Sequence, residues 1–337
     1  MPELRQDFAS DNTHGAAPEA LDALIAANAG SVDSYGEDRY CARAADLVRG
    51  LLDTDAEVRF VASGTAANAI SLAALCRPFE RVLAHQQAHV AVAETGAPNF
   101  FGHGLTIRGL PGASARIDPT ALDAVLAEPE HAHAQPPAAL SLTQATEYGA
   151  VYDQAHLARL TSAAKAHGLK VHLDGARLAN AIAAGFDPKA IQGLGVDMLV
   201  VGGTKAGMTP TEALVIFDKS LARRFDARLK MSGQLPSKSR FYAAPWIGML
   251  ESGGFVRHAD RANAMARKLA AESGLKAMHP VESNGLFAEL GLERHQRLTE
   301  AGWLAFRCED GSVRFMCSWA TSEAVVEELA AAIRATA

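Results

Sequence analysis

Short β-rich runs alternate with longer stretches of helical periodicity from about residue 57 onward, and this alternation limits the fold more than any other feature. The strand candidates are 57–62, 81–84, 105–108, 138–143, 170–173, 198–201 and 212–217. After Asp153, apolar residues recur at helical spacing up to Gly168, which is typical of a crossover helix between parallel strands. We therefore predict an α/β fold with one seven-stranded, mostly parallel sheet.

The pattern changes on both sides of this region. Pro18 is placed to begin a helix and Gly30 to follow its end, so residues 1–30 are predicted to form an N-terminal arm and helix. Residues 31–245 would form the large domain. Residues 246–337 would form a smaller α+β domain, with strands at 286–290, 304–308 and 313–318 and a last helix from Thr321.

Composition excludes several classes of protein. The net charge of −6 and the pI near 6.1 give no basic surface for nucleic acid, so the expected partner is a small molecule. The four cysteines form no C-x-x-C pair, which indicates reduced thiols. The first ten residues lack the apolar core of a signal peptide, and no apolar stretch reaches the roughly 18 residues that span a bilayer. We predict a cytoplasmic protein that does not bind membranes.

Two strand ends carry candidate catalytic side chains. The strand at 170–173 delivers Asp174 and Arg177 at its carboxyl end, where open parallel sheets bind ligands. An equally reasonable interpretation is a helix-capping aspartate paired with a surface arginine. Lys205 follows the next strand in a glycine turn, where neighbouring charges favour Schiff-base chemistry. Taken alone, a solvated loop lysine is the commoner case.

A third motif, Ser63, Gly64 and Thr65, joins the first sheet strand to a helix. Backbone N–H groups and hydroxyls at such a helix start bind anions, although an ordinary helix cap has the same residues. The sequence contains neither G-x-x-x-x-G-K-[ST] nor G-x-G-x-x-G, which argues against nucleoside triphosphates and dinucleotides. A cofactor with a single phosphate fits these observations.

In this order, the three motifs resemble the fold-type I pyridoxal-phosphate enzymes, and within them the low-specificity L-threonine aldolases and their phenylserine aldolase relatives. The resemblance covers nearly the whole chain, and its segments are 8–12, 34–38, 63–65, 88–89 with Glu94, 143–147, 174–177 and 203–205. It implies pyridoxal 5'-phosphate as the cofactor and cleavage of L-threonine or another β-hydroxy-α-amino acid to glycine and an aldehyde. It also implies a homodimer or homotetramer.

The resemblance assigns a role to each matching residue. Ser63, Gly64 and Thr65 would hold the phosphate, His89 would stack on the cofactor ring, Asp174 would pair with the pyridine nitrogen, Arg177 would lie near the phenolic oxygen and Lys205 would form the Schiff base. Ser10, Arg177 and Arg314 would bind the substrate carboxylate, and Tyr35, Lys230 and Lys238 are candidates to complete a neighbouring subunit's site. Without the resemblance, Arg314 is better interpreted as a solvent-facing charge on a strand.

Two histidines compete for the proton of the substrate's β-hydroxyl. His133 precedes a strand at the place where family members present a histidine, but a solvated loop histidine is an equally good interpretation, and His89 is its rival. The histidine pair His85 and His89 lacks the glutamate of H-E-x-x-H, so no metal is predicted. Other functions that remain open are an aminotransferase, a β-eliminating lyase and a catalytically silent cofactor-binding homologue.

Overall fold

A computed structural model of the chain describes residues 4–337. The strands of the large sheet are β1 (Glu57–Val61), β2 (Arg81–His85), β3 (Thr106–Leu110), β4 (Pro137–Thr143), β5 (Lys170–Gly175), β6 (Met198–Gly202) and β7 (Glu212–Ile216). The strands of a second, smaller sheet are β8 (Gly285–Ala288), β9 (Phe306–Arg307) and β10 (Val313–Met316).

Helices surround both sheets. They are α1 (Pro18–Ala27), α2 (Arg39–Leu52), α3 (Gly64–Leu75), α4 (His89–Val92), α5 (Ala97–Phe101), α6 (Pro119–Leu126), α7 (Gln154–Ala166), α8 (Leu178–Ala183), α9 (Ala190–Gly193), α10 (Lys219–Ala222), α11 (Phe225–Met231), α12 (Arg240–Glu251), α13 (Gly254–Ser273), α14 (Leu292–Glu300) and α15 (Glu323–Ala335). Short 3-10 turns occur at Ala113–Ala115 and Thr204–Ala206. Within residues 4–337, no helix combines the length and apolar character needed to cross a membrane.

The large sheet has the strand order β1-β7-β6-β5-β4-β2-β3. The neighbouring strands from β3 through β2, β4 and β5 to β6 pair in parallel. Strand β7 runs antiparallel to both of its neighbours, β1 and β6. The prediction of a seven-stranded, mostly parallel sheet in an α/β fold is confirmed. Because β7 is reversed, its first residue lies at the edge where the parallel strands end.

Local sequence signals set several helix boundaries. The Ser63 and Asp153 side chains accept hydrogen bonds from the backbone N–H groups of Ala66 and His156, which caps α3 and α7 at their first turns. Gly168 follows α7 with a φ of +76°, a conformation that glycine adopts without strain. The crossover helix therefore begins and ends where the sequence predicts.

The segment predicted as an N-terminal arm packs against the rest of the molecule. Phe8 is buried in the apolar cluster of the C-terminal sheet, and its carbonyl accepts a hydrogen bond from the Met316 N–H at 2.9 Å. Ala17 and Ala20 are buried in the main core. These buried side chains of the arm thus pack into cores formed by the rest of the chain, although two larger apolar side chains of α1 are exposed. The domain limits near residues 31 and 246 remain predictions.

Candidate active site

A cleft lies at the carboxyl edge of the parallel strands, where β4, β5 and β6 end. It encloses about 1040 Å³ of space, including the part that is open to solvent. The structure brings the predicted cofactor-binding residues together on its walls: Ser63, Gly64, Thr65, His89, Asp174, Arg177 and Lys205. Concave sites at this edge of a sheet are the usual ligand sites of α/β folds.

The N-terminus of α3 forms one wall of the cleft. Ser63 is committed to capping, since its Oγ accepts the Ala66 N–H at 3.3 Å. A Cβ atom built on Gly64 meets no heavy atom within 4 Å, so open space lies against this backbone. The first N–H groups of a helix lack intrahelical partners and carry its partial positive charge. The α3 N-terminus, with Ser63, Gly64 and Thr65, is therefore suited to a phosphate group, and we call it the phosphate cradle.

Asp174, at the end of β5, is the buried carboxylate of the cleft and is only 3% exposed. Its Oδ1 accepts the Ala176 N–H at 2.9 Å, and its Oδ2 accepts the Asn68 side-chain N–H at 2.8 Å. These two hydrogen bonds hold the Asp174 side chain in place at the edge of the sheet.

A chain of hydrogen bonds connects Asp174 with His89. Asn68 donates from the same Nδ2 to Glu94 Oε1 at 2.8 Å, and the same Glu94 oxygen lies 2.9 Å from His89 Nδ1. The Glu94 side chain is fully buried, whereas the His89 side chain is 43% exposed. The buried carboxylate orients the ring and leaves its other nitrogen, Nε2, without this restraint.

Lys205 lies in the turn after β6 and lines the same cleft as the N-terminus of α3. Burial lowers the pKa of its ammonium group, and the neighbouring Arg177 charge lowers it further. The carboxylates of Asp11, Asp174 and Glu212 act in the opposite direction. No salt bridge within 4 Å involves Lys205 in the part of the chain that the structure describes. An amine in such surroundings is favoured as a nucleophile.

Arg177 is fixed by a carboxylate from the N-terminal segment. Its Nε and Nη2 donate to the two Asp11 oxygens at 2.7 and 3.0 Å, and Asn284 Nδ2 donates to Asp11 Oδ2 at 3.0 Å. Burial alone would raise the pKa of Asp11, but the Arg177 charge, together with Lys205 and these hydrogen bonds, lowers it to about 2. The pair therefore remains ionised at neutral pH.

Ser10 and Arg314 lie next to this pair. Arg314 Nη2 donates to the Ala9 carbonyl at 3.0 Å, whereas its buried Nε has no hydrogen-bond partner in the described chain. Burial lowers the pKa of Arg314, and so does the charge of nearby Arg177. The Ser10 Oγ accepts the Asn12 N–H at 3.2 Å. Neither side chain lines the cleft around Lys205, but Ser10 directly precedes the Arg177 partner Asp11, and Arg314 is near enough for the Arg177 charge to act on it.

The three residues predicted to act on a neighbouring subunit share one exposed surface. Lys230 Nζ lies 4.5 Å from the centre of the Tyr35 ring, and the Tyr35 N–H donates to the carbonyl of Ser237, which precedes Lys238. This surface adjoins the phosphate cradle, because the Gln234 side chain accepts the Ala62 N–H at 2.9 Å. Their action across subunits stays a prediction.

The structure contradicts the prediction for His133. It lies in the loop before β4, with His131 and Phe79 beside it, in a surface pocket at the opposite edge of the sheet from Lys205. Since β4 runs parallel to its neighbours, a residue that precedes it lies at the amino edge. Within this chain, the sequence prediction for His133 was wrong and His89 is the histidine of the cleft.

Sequence reasoning gave no role to Glu147, although the segment 143–147 belongs to the resemblance, and it missed Glu212; both carboxyl groups line the cleft. Glu147 Oε1 accepts the His89 N–H and the Thr143 hydroxyl, both at 2.9 Å, and burial raises the pKa of this carboxyl group. Burial also raises the pKa of Glu212, to about 7. A glutamate at the start of the apolar run Glu-Ala-Leu-Val-Ile was the available sign of a buried carboxyl group.

Comparison with known proteins decides the family. The family model described as beta-eliminating lyase matches residues 7–291 of the chain. The chain belongs to the beta-eliminating lyase family. It is 42% identical over 342 residues to the low specificity L-threonine aldolase of Pseudomonas sp. (strain NCIMB 10558), and the match covers 99% of each chain. The corresponding protein of Pseudomonas aeruginosa is also 42% identical, again over 99% of both chains.

Solved structures place this beta-eliminating lyase family member in the same fold group. The threonine aldolase of Leishmania major has a TM-score of 0.91 and 30% identity, covering 98% of this chain and 99% of its own. Aspartate aminotransferase from Thermus thermophilus has a TM-score of 0.72 at 17% identity, covering 96% of this chain and 89% of its own, so it shares the fold alone. The fold is therefore that of the fold-type I pyridoxal-phosphate enzymes.

The site of this beta-eliminating lyase family member suits pyridoxal phosphate on structural grounds. The open space at Gly64 adjoins a helix N-terminus, which suits the phosphate. The buried carboxyl group of Asp174 suits a protonated ring nitrogen. Lys205, with its lowered pKa, suits a covalent bond to the aldehyde. The charges and hydrogen-bonding groups of the cleft thus match the phosphate, the ring nitrogen and the aldehyde of the cofactor.

Proposed function

We propose that this protein is a pyridoxal-phosphate-dependent aldolase that cleaves L-threonine or a related β-hydroxy-α-amino acid to glycine and an aldehyde. One observation carries the proposal. The cleft combines the cofactor-binding residues with a histidine oriented by a buried carboxylate, His89 beside Glu94, in a chain that is 42% identical to L-threonine aldolases over its length. A group that accepts a proton in the cleft is what a retro-aldol reaction requires.

In this proposal, each end of the cofactor has its own partner. The N–H groups at the start of α3, Gly64 and Thr65, hold the phosphate. Asp174 faces the ring nitrogen and favours its protonated form, and the His89 ring covers one face of the ring. When bound, pyridoxal phosphate holds the substrate's amine covalently and takes up the electron pair of the breaking Cα–Cβ bond.

His89 is proposed as the acceptor of the β-hydroxyl proton. The hydrogen bond between Nδ1 and Glu94 favours the tautomer with its proton on Nδ1, and this leaves the Nε2 lone pair to accept a proton. When Nε2 gains that proton, Glu94 stabilises the imidazolium at 2.9 Å. The Glu94 side chain is fully buried, so this carboxylate is shielded from water although the His89 ring is 43% exposed.

Arg177 is proposed to bind the substrate's carboxylate, with Ser10 and Arg314 beside it. Asp11 holds the Arg177 guanidinium through two hydrogen bonds and so fixes its orientation in the cleft. Among residues 4–337, the buried Nε of Arg314 has no hydrogen-bond partner, and it is a donor suited to a carboxylate. Two guanidiniums and a hydroxyl would then orient the amino acid before its bond breaks.

A homodimer or homotetramer located in the cytoplasm is also proposed. The exposed surface of Tyr35, Lys230 and Lys238 adjoins the phosphate cradle, and two of these residues carry positive charge. Such a surface is suited to complete the phosphate site of a second copy. Sedimentation of an active monomer at assay concentration would contradict the oligomer.

A product assay tests the function directly. Purified protein with pyridoxal phosphate is incubated with L-threonine, L-allo-threonine and L-phenylserine, and glycine and aldehyde are quantified. We expect equal amounts of both products. Release of ammonia would instead indicate a β-eliminating lyase, amino transfer to a keto acid would indicate an aminotransferase, and a bound cofactor without turnover would indicate a silent homologue.

Substitution of the two histidines tests the proton acceptor. His89→Asn should slow L-threonine cleavage by about 100-fold to 10,000-fold, because the proton acceptor is lost. His133→Asn is the matched control, since it changes the same type of side chain at the opposite edge of the sheet, and its activity should equal the wild type's. Cofactor absorption is measured in both variants. Slower cleavage in His133→Asn, with normal activity in His89→Asn, would contradict the assignment.

A further inference from the structure

The turn that carries Lys205 is packed tightly against the start of β7. A Cβ atom built on Gly203 would lie 2.5 Å from the Thr211 carbonyl oxygen and 2.8 Å from the Trp246 ring. The Thr211 N–H also donates to the Thr204 hydroxyl at 3.2 Å. Thr211, which directly precedes β7, therefore limits where the lysine turn can lie.

Glu212 contacts this turn through a buried carboxyl group. It is only 7% exposed, and its Oε2 accepts the Gly203 N–H at 2.7 Å. In the register of the sheet, Glu212 pairs with Gly202 at the end of β6 and with Val61 at the end of β1. The reversed direction of β7 thus places a carboxyl group between the lysine turn and the strand that leads into the phosphate cradle.

The other carboxylates near Lys205 are bound to different partners. Asp11 accepts hydrogen bonds from Arg177 and Asn284, and Asp174 accepts hydrogen bonds from Ala176 and Asn68. The hydrogen bonds of Glu212 are to the lysine turn itself, in the part of the chain that the structure describes. Glu212 is therefore the acidic group whose position is coupled most directly to that turn, and its charge adds to the larger effects of Asp11 and Asp174 on the Lys205 pKa.

We propose that Glu212 is a positioning residue for Lys205, which holds the lysine turn through the Gly203 N–H and stabilises the protonated lysine nitrogen with its negative charge. This inference rests on the proposed function, in which Lys205 is released from the cofactor and bound to it again in every turnover. When the substrate's amino group takes the place of Lys205, the lysine nitrogen would leave with a proton that this amino group gives up. A carboxylate beside the turn favours that protonated form.

The charges of Lys205 and Glu212 act on the pKa of one another in the directions that this role requires. The groups that act on Lys205 are Arg177 from the start of α8, Asp11 from the N-terminal segment, Asp174 from β5 and Glu212 from β7. Burial raises the pKa of Glu212 to about 7. The Gly203 N–H, the Thr204 side chain and the Lys205 charge each act to lower that pKa, but burial outweighs them. Glu212 therefore responds to the charge of Lys205 in the neutral pH range.

A spectroscopic titration of the purified holoenzyme tests this role. The visible absorption band of the lysine-bound cofactor is followed against pH in the wild type and in Glu212→Gln, which keeps an oxygen to accept the Gly203 N–H but removes the charge. We expect the midpoint of Glu212→Gln to fall by at least about half a pH unit, since an opposite charge no longer favours the protonated nitrogen. Glu212→Asp keeps the charge but is one methylene shorter, so its midpoint should lie between the other two.

Asp197→Asn serves as the matched control. Asp197 is also 7% exposed, but it precedes β6 at the opposite edge of the sheet and forms ion pairs with Lys165 and Lys170. Its substitution should leave the midpoint unchanged. If Glu212→Gln does not fold, Glu212→Asp carries the test.

Two results would overturn the role of Glu212, and a third would overturn the proposed function. A midpoint at the wild-type value in the soluble Glu212 variants overturns the role of Glu212 alone, and so does an equal shift in Asp197→Asn. A wild-type protein that shows no band of lysine-bound cofactor overturns the proposed function instead.

Discussion

Replacement of Asp11 by asparagine tests how the N-terminal segment supports the site. Three donors converge on the Asp11 carboxylate: Nε and Nη2 of Arg177 at 2.7 and 3.0 Å, and Nδ2 of Asn284 at 3.0 Å. An asparagine side chain offers a single acceptor oxygen and brings two N–H groups of its own. Asp11→Asn therefore places donors against donors and leaves the Arg177 charge without its partner.

The lowered pKa of Asp11 and the burial of its ion pair both indicate how much stability Asp11→Asn removes. The pKa of Asp11 is lowered from 3.8 to about 2, and a difference of one unit corresponds to about 1.4 kcal/mol, which gives about 2 kcal/mol of stability at neutral pH. Breaking a buried ion pair typically costs about 3–5 kcal/mol, because one charge remains buried. The Asp11 and Arg177 side chains are 1% and 15% exposed, so the buried case applies. We expect Asp11→Asn to lower the free energy of unfolding by about 2–5 kcal/mol.

Urea unfolding at pH 7, followed by circular dichroism, measures this loss. Asp46→Asn is the control, because Asp46 pairs with Arg49 on the surface, where the two side chains are 61% and 30% exposed. Exposed pairs of this kind contribute less than about 1 kcal/mol. If Asp11→Asn were no less stable than Asp46→Asn, the buried pair would not hold the N-terminal segment in place and the reasoning would be refuted.

Three further predictions concern the strands that end at the cleft. Lys205→Ala should abolish borohydride-stable attachment of the cofactor, whereas Lys276→Ala should retain it; a labelled peptide that contains a different lysine would refute the assignment. Asp174→Asn should keep the fold and lose about 100-fold in rate, because the buried negative charge is removed, and near-normal turnover would exclude Asp174 from the site. Burial lowers the pKa of His172 to about 4, so the unfolded chain binds its proton below about pH 6.5 but the folded chain does not. Stability should therefore fall between pH 7 and pH 5, by on the order of 2 kcal/mol, and His172→Asn should reduce this decline in urea unfolding; an equal decline in the variant would show that His172 is not its source.

The fold and much of the cleft could be predicted from short stretches of sequence. Alternating strands and helices predict a parallel sheet, and the side chains that follow such strands meet at one edge. Asp174 and Lys205 are separated in the sequence by two helices and a strand, and both line the same cleft. The motif at Ser63 likewise predicts a helix start, because capping depends on residues that are adjacent in the chain.

The partners of these side chains depend on contacts between distant segments. Arg177 is held by Asp11, 166 residues earlier in the chain, and Asp174 by Asn68, 106 residues earlier. The error with His133 has the same origin: its distance from β4 along the chain is short, but the direction of the strand places it at the wrong edge. Local sequence patterns do not contain this information.

The sequence by itself determined the α/β class, the residues at the strand ends and the family that they resemble. Only the tertiary structure decided that β7 runs against its neighbours and thereby places Glu212 beside the turn of Lys205. It also decided that Glu94 orients His89. The physical reason is that helix starts and strand ends follow from interactions between near neighbours in the chain. The protonation and orientation of a buried side chain follow from whichever charges the completed fold packs against it.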